Sequence, residues 1–153
     1  MEQMEIKYQR ILVAVDGSAG AEAALKKAVK VAQRQQAHLD ILQVLNLNSL
    51  SYDGNGLSLD GKKVYQVEQV NESYLQNLKQ KLIDEKQLPA AEITTHLRFG
   101  NPKTVIVNDF QPEYQNDLII VGATGKNFIE RLIVGSVASY VIRAARCDVL
   151  LAH

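Results

Sequence analysis

The chain has 153 residues, 46% hydrophobic and 22% charged, a size and balance that fit one globular domain able to bury a substantial core. Its 17 Lys and Arg offset its 17 Asp and Glu, which excludes a global field for gathering nucleic acid or an anionic membrane surface. A single cysteine, Cys147, excludes a disulfide framework and a thiolate metal cage. No apolar run approaches the roughly 20 residues of a membrane span, and the polar opening MEQMEIKYQR cannot act as a signal peptide, so a cytoplasmic location without membrane or nucleic-acid partners is expected.

Arg10 to Asp16, RILVAVD, is a nearly continuous aliphatic run, the composition of a strand covered on both faces. Asp16-Gly17-Ser18 stops it. From Ser18 onward Ala24, Leu25, Ala28, Val31 and Ala32 recur at helical spacing opposite Lys26, Lys27, Lys30 and Arg34, predicting a first helix. Ala37 to Leu45 reads as a second strand. A strand, a helix and a strand in so short a stretch form a βαβ unit, which requires parallel strands and a right-handed crossover. Asn46 to Lys63 is rich in Asn, Ser, Gly and Asp, has no sustained period, and predicts a variable polar loop.

A long helix is expected from about Val64, with Val67, Val70, Tyr74, Leu78 and Leu82 on one stripe and Pro89 ending the segment that follows. Glu92 to Phe99 alternates Ile93, Thr95, Leu97 and Phe99 on one face and reads as a third strand. Gly100-Asn101-Pro102 then opens a short helix, with Asn101 as N-cap and Pro102 in the first helical position, and Gln111-Pro112 is expected to close it. Leu118 to Val121 is a short, wholly apolar fourth strand. A glycine-punctuated loop follows it, then a helix opening near Ser136, and Asp148 to Ala152 is a fifth strand.

The fold class is therefore α/β: a single-domain, open, five-stranded parallel sheet spanning residues 1–153, in the order 3-2-1-4-5, with helices on both faces. In that order strands 1 and 4 diverge at a topological switch point, and ligands of such sheets bind outside the carboxyl ends of the strands there. Two marked loops fall at that place, Asp16-Gly17 and the stretch from Gly122. Glycines let the main chain approach a ligand, and amides at a helix start, with the positive end of its dipole, attract phosphate. Gly122 to Lys126 is too short for the Walker pattern, and G-x-G-x-x-G is absent.

The set Gly122, Gly125, Gly135 and Ser136 follows the pattern G-x2-G-x9-G-[ST], and Val15-Asp16-Gly17-Ser18 closes the first strand. With the Gly100-Asn101-Pro102 turn and the terminal C-D-V-L-L strand from Cys147, these residues resemble the universal stress protein family in its ATP-binding branch. The resemblance implies a Rossmann-like fold and an ATP-binding stress-response protein acting as a nucleotide-dependent regulatory or interaction module. It also implies a cofactor site of Ala14, Val15, Asp16 and Gly17, the backbone of Val44, the loop residues Gly122, Ala123, Thr124, Gly125 and Lys126, and the helix start Gly135, Ser136, Val137 and Ala138. Asp16 would meet the adenine or ribose, the favoured reading at the switch point over that of a turn aspartate steadying Gly17-Ser18. Val44 would read the adenine edge, although its side chain also suits the core. Nothing basic is clustered to neutralise a triphosphate, so Mg2+ or another divalent cation held mainly by the phosphates is expected beside ATP.

No catalytic residue and no metal-ligand set is expected. His38, His96 and His153 lack ligand spacing, Cys147 reads as a half-buried structural thiol, and neither paired carboxylates nor a nucleophile elbow appears. A slow ATP hydrolase or an adenylyl-transferring enzyme on the same fold is the alternative, and a nucleotide-free interaction protein the third reading. A side chain at Gly122 is expected to block the ligand and leave the fold intact. The bare apolar edge at residues 149–152 invites pairing, and in the family this strand pairs with its twin, so a symmetric homodimer is expected.

Overall fold

The computed structural model describes residues 7–46, 61–124 and 134–153. Strand β1 (Arg10–Ala14) lies at the centre of the sheet, with β2 (His38–Leu45) and then β3 (Ile93–Phe99) on one side, and β4 (Leu118–Gly122) and then β5 (Asp148–Ala152) on the other. All four pairings are parallel, and the register sets Leu12 between Asp40 and Ile119. The order β3-β2-β1-β4-β5 is the expected one.

The aliphatic runs explain why β1 and β4 sit inside. Ile11, Val13 and Ile120 point to one face, where helices α1 (Ala19–Gln35) and α2 (Gly61–Asp84) cover them. Leu12, Ile119 and Val121 point to the other, under a helical run at 102–114, here α3, and under α4 (Ser136–Ala144). Each fully buried aliphatic side chain contributes about 1.5–3 kcal/mol. Residues such as Ile11, Leu12, Ile119 and Ile120, at 0% exposure, are the reason the strand order tolerates no slip.

Two boundaries and one helix face differ from the sequence reading. Helix α2 begins at Gly61, so the expected loop loses residues 61–63, and 47–60 lie outside the described residues. Within α2 the inward stripe carries Asn71, Tyr74, Leu75, Leu78 and Leu82, whereas Val70 is 68% exposed. A polar residue occupies an inward position there, a choice that an apolar period conceals. Gln111-Pro112 does not end α3. The helix widens to π geometry over Val105–Phe110, with the Gln111 amide bonding the Ile106 carbonyl, and runs on to Tyr114. The wider turn relieves the clash between a proline ring and the preceding turn, so Pro112 is accommodated. The expected start is observed: the Asn101 side chain accepts from the Lys103 amide at 3.0 Å, with Pro102 next in line.

The amino-terminal rim of the sheet is closed by charge. Asp40, at 0% exposure, accepts from Arg10 Nε (2.6 Å) and Nη2 (2.9 Å) and from Asn116 Nδ2 (2.9 Å), and His96 Nε2 lies 2.9 Å from its Oδ1. Burial alone would push this carboxyl up. The hydrogen bonds from His96, Arg10 and Asn116 outweigh it and hold Asp40 well below the usual carboxylate range. An ionised Asp40 only accepts, so His96 Nε2 carries the proton between them. Phe110 and Tyr114 of α3 close over the His96 ring at 4.7 and 4.8 Å. Beside them Asp117 takes the amides of Gln9 and Arg10, hooking β1 to the start of β4.

Candidate functional site

At the opposite, carboxyl-terminal rim the Val15 amide still bonds the Leu42 carbonyl at 2.9 Å, after which the chain turns. Asp16 Oδ1 accepts from the Ser18 amide (2.9 Å), Gly17 takes φ +80°, and Ser18 caps α1 by accepting from the Ala21 amide (3.1 Å). Asp16, Gly17 and Ser18 therefore each serve the local backbone, as an Asx turn, a left-handed glycine and an N-cap. Asp16 is only partly buried, and its Oδ2 makes no hydrogen bond among the described residues. Tyr74 of α2 faces the same place. Burial first, and then the charges of Glu22 and Asp16, push its hydroxyl pKa up.

The end of β4 lies beside this turn, because Val13 and Ile120 are partners across the two strands. A Cβ added at Gly122 would meet the main chain of Gly20, and one added at Gly20 would meet Thr124. The two glycines let the first turn of α1 lie directly against the end of β4. This corrects the expectation that a side chain at Gly122 would leave the fold intact: its missing Cβ is required by helix–strand contact.

Two amides assigned to the loop are already spent. Ala123 N bonds the Ala152 carbonyl (2.8 Å), and Gly135 N bonds the Ala123 carbonyl (2.7 Å), which brings the two ends of the loop together. Gly135 is the N-cap of α4, has no side chain to satisfy the first turn, and accepts from the Ser139 amide (2.9 Å). The amides of Ser136, Val137 and Ala138 therefore open the helix without an intrahelical partner. The side chains of Val137 and Ala138 pack into the core, leaving only their main chain to face outward, and Ser136 is exposed.

Of the other expected site residues, Ala14, Val15 and Val44 pack their side chains into the core, so only their backbone is available at the rim. Gly125 and Lys126 lie outside the described residues. Gly20 and Tyr74 were missed. For Gly20 a signal existed: a glycine in the first turn of a helix costs about 1 kcal/mol against alanine and asks for a packing reason. Tyr74 had none, since its stripe reads as core. Half-burial, with Asp148 and Asp117 nearby, pushes the Cys147 thiol up to about 11, which keeps it protonated and unreactive at neutral pH. Among the described residues no group of three His, Cys, Asp or Glu could hold a metal ion, and no helix is long and apolar enough to cross a membrane.

The model of the universal stress protein family matches residues 7–153. A putative universal stress protein of Staphylococcus aureus strain USA300 is 36% identical over 147 residues, covering 95% of this chain and 84% of that protein. The structure of the universal stress protein UspA from Lactobacillus plantarum superposes with a TM-score of 0.78 at 32% identity, over 97% of this chain and 100% of that one. The universal stress protein from Archaeoglobus fulgidus, solved in complex with dAMP, has the same fold at a TM-score of 0.62 and 24% identity, over 97% of this chain and 100% of that one.

Proposed function

The chain belongs to the universal stress protein family, and from that premise we propose that it is a nucleotide-dependent regulatory module that holds ATP across the ends of β1 and β4. The observation that carries this reading is the helix start at Ser136, Val137 and Ala138: three amides with no intrahelical partner beside the rim where one Asp16 oxygen has no hydrogen bond among the described residues. Donors of that kind, at the positive end of a helix dipole, suit phosphate oxygens, and a carboxylate oxygen suits a ribose hydroxyl or an adenine N–H. The dAMP bound by the Archaeoglobus fulgidus relative supports a nucleotide as the ligand class. The backbone of Val44 would read the adenine edge. Gly125 and Lys126 belong to the phosphate side of this proposal.

Phosphates carry most of the liganding for the accompanying Mg2+, since no protein donor cluster exists for it among the described residues. The signal is a shift between two states of the loop or of the dimer for which ATP has different affinity. The dimer forms through residues 149–152, where Val149, Leu150 and Leu151 are half-buried on a strand paired on one side only. We place the protein in the cytoplasm, without nucleic-acid or membrane partners. The competing reading is a slow ATP hydrolase or adenylyl-transferring enzyme, for which Asp16 Oδ2 is the group that would have to orient the attacking water.

Mass spectrometry of small molecules released from freshly purified protein, followed by calorimetric titration with ATP and Mg2+, tests the proposal. Co-purified or titratable ATP is the expected result. No binding of any adenine nucleotide overturns it, and rapid turnover in a single-turnover assay transfers the case to the enzyme. Leu150→Lys is expected to move the sedimentation profile from dimer to monomer.

A further inference from the structure

Strand β2 turns Leu39, Ile41 and Gln43 toward α1 and α2, so a glutamine ends an otherwise aliphatic inward face. Gln43 is 6% exposed. Its Nε2 donates to Asn71 Oδ1 of α2 at 2.8 Å, while its Oε1, also buried, has no hydrogen-bond partner among the described residues. The Asn71 Nδ2 that could serve this oxygen donates instead to the Val67 carbonyl of its own helix, at 2.8 Å. Val67 does not depend on it, because a carbonyl four residues back in a helix already accepts the backbone amide. Two side-chain amides can join by two reciprocal hydrogen bonds, and this pair makes one. Turning Asn71 Nδ2 from Val67 onto Gln43 Oε1 satisfies the buried oxygen and leaves no other group unpaired.

We propose that Gln43 and Asn71 form a two-position clasp between the nucleotide rim and the front of α2, singly bonded in the observed arrangement and doubly bonded when a nucleotide is held at the rim. The clasp rests on the nucleotide reading above and names the element that carries its signal. Its place in the fold supports this. Gln43 immediately precedes Val44, whose backbone is the proposed reader of the base, and the Leu42 carbonyl before it takes the Val15 amide, one residue short of Asp16. Tyr74, one turn beyond Asn71 on the same stripe, faces the Asp16 turn.

The front of α2 is free to respond. The residues of this helix that pack on the core are Tyr74, Leu75, Leu78, Leu82 and Ile83. None of residues 61–70 is buried, and Tyr65 and Val70 are 61% and 68% exposed. A helix end with few buried apolar contacts shifts at low cost. A base held by the Val44 main chain fixes the peptide that joins Val44 to Gln43, and with it the aim of the Gln43 amide. The unliganded chain lacks that constraint, so the ligand favours one arrangement over the other.

The test is hydrogen exchange of the full chain, read by mass spectrometry over residues 61–71 and 72–84 with and without ATP and Mg2+, beside calorimetric titration. Asn71→Asp is the sharp variant: it keeps the acceptor that Gln43 Nε2 uses and removes the donor that closes the second bond. In the wild type ATP is expected to slow exchange over 61–71 by about fivefold or more, and over 72–84 by less. In Asn71→Asp the exchange without ATP should match the wild type, ATP should no longer slow it, and ATP affinity should fall by the same factor, because coupling is reciprocal. Gln43→Leu/Asn71→Leu removes both amides together, leaves neither unmatched, and should also abolish the ATP effect. Bound ATP without slower exchange over 61–71, or an ATP effect that survives Asn71→Asp, overturns the proposal. A measurement without nucleotide separates the clasp from the nucleotide reading. Relaxation dispersion of the Gln43 and Asn71 side-chain amides in isotope-labelled protein should show exchange between two environments, and a single environment overturns the clasp. Failure of ATP to bind sinks the nucleotide reading, and the clasp then stands or falls on this last measurement.

Discussion

The two rims of the sheet are built from the same strands and treat their polar groups in opposite ways. At the amino rim Asp40, Arg10, His96 and Asn116 close on one another under Phe110 and Tyr114, with Asp40 wholly buried. At the carboxyl rim the side chains thin out to glycine, Asp16 is half-used by its own turn, and the first amides of α4 have no intrahelical partner. The amino rim has spent almost all of its hydrogen-bonding capacity on the fold, Asn116 Oδ1 being left over. Among its described residues the carboxyl rim keeps part of its capacity, in Asp16 Oδ2 and the first amides of α4. A buried charge is tolerated where every partner is fixed, and a ligand is gained where donors remain.

Removing Asp40 should break the first half of this contrast with the largest effect. Asp40→Ala leaves the Arg10 charge and the His96 and Asn116 donors unmatched, and is expected to lower unfolding stability by about 3–5 kcal/mol in urea titration. Nucleotide affinity of the folded fraction should not change. Gly122→Val comes next: driving a side chain into the Gly20 main chain should cost about 1–3 kcal/mol and weaken nucleotide binding together with stability. A variant of unchanged melting temperature would show that the close contact of α1 and β4 does not depend on glycine.

Asp16→Asn sharpens the other half. Asparagine keeps the Asx turn, so stability should move by less than about 0.5 kcal/mol, while ATP affinity should fall about tenfold in calorimetry. Equal losses in both quantities would mean that Asp16 serves the turn alone. The smallest signal is acid sensitivity. Asp40 has a lower pKa folded than unfolded, so the folded state binds fewer protons in acid and the stability from Asp40 is present above the ordinary carboxylate pKa. That contribution is lost as pH falls below about 4 toward the depressed folded value, at no more than about 1.4 kcal/mol per pH unit for one proton. Asp40→Asn should remove this slope in denaturation measured from pH 5 to pH 2.

Much of the carboxyl rim was legible in the sequence. V-D-G-S, the glycine spacing and the apolar runs are local patterns, and local patterns report local backbone. They place Asp16 and Gly122 at strand ends and Ser136 at the first helical position. The amino rim was not legible. Asp40 sits in a strand that reads as apolar, and its partners Arg10, His96 and Asn116 are 30, 56 and 76 residues away in sequence. The scattered histidines gave no sign that one of them touches a buried carboxylate.

The strand and helix periods, the parallel order and the two loops at the switch point followed from the sequence alone, because burial on one or both faces imposes a repeat that survives in a single segment. The close contact of Gly20 with Gly122, the loop amides already taken at Ala123 and Gly135, the passage of α3 through Pro112 and the cluster around Asp40 were decided by the tertiary structure. Each depends on which side chain faces which across the register of separate strands and helices. That is a property of pairs far apart in the chain, and no single segment carries it.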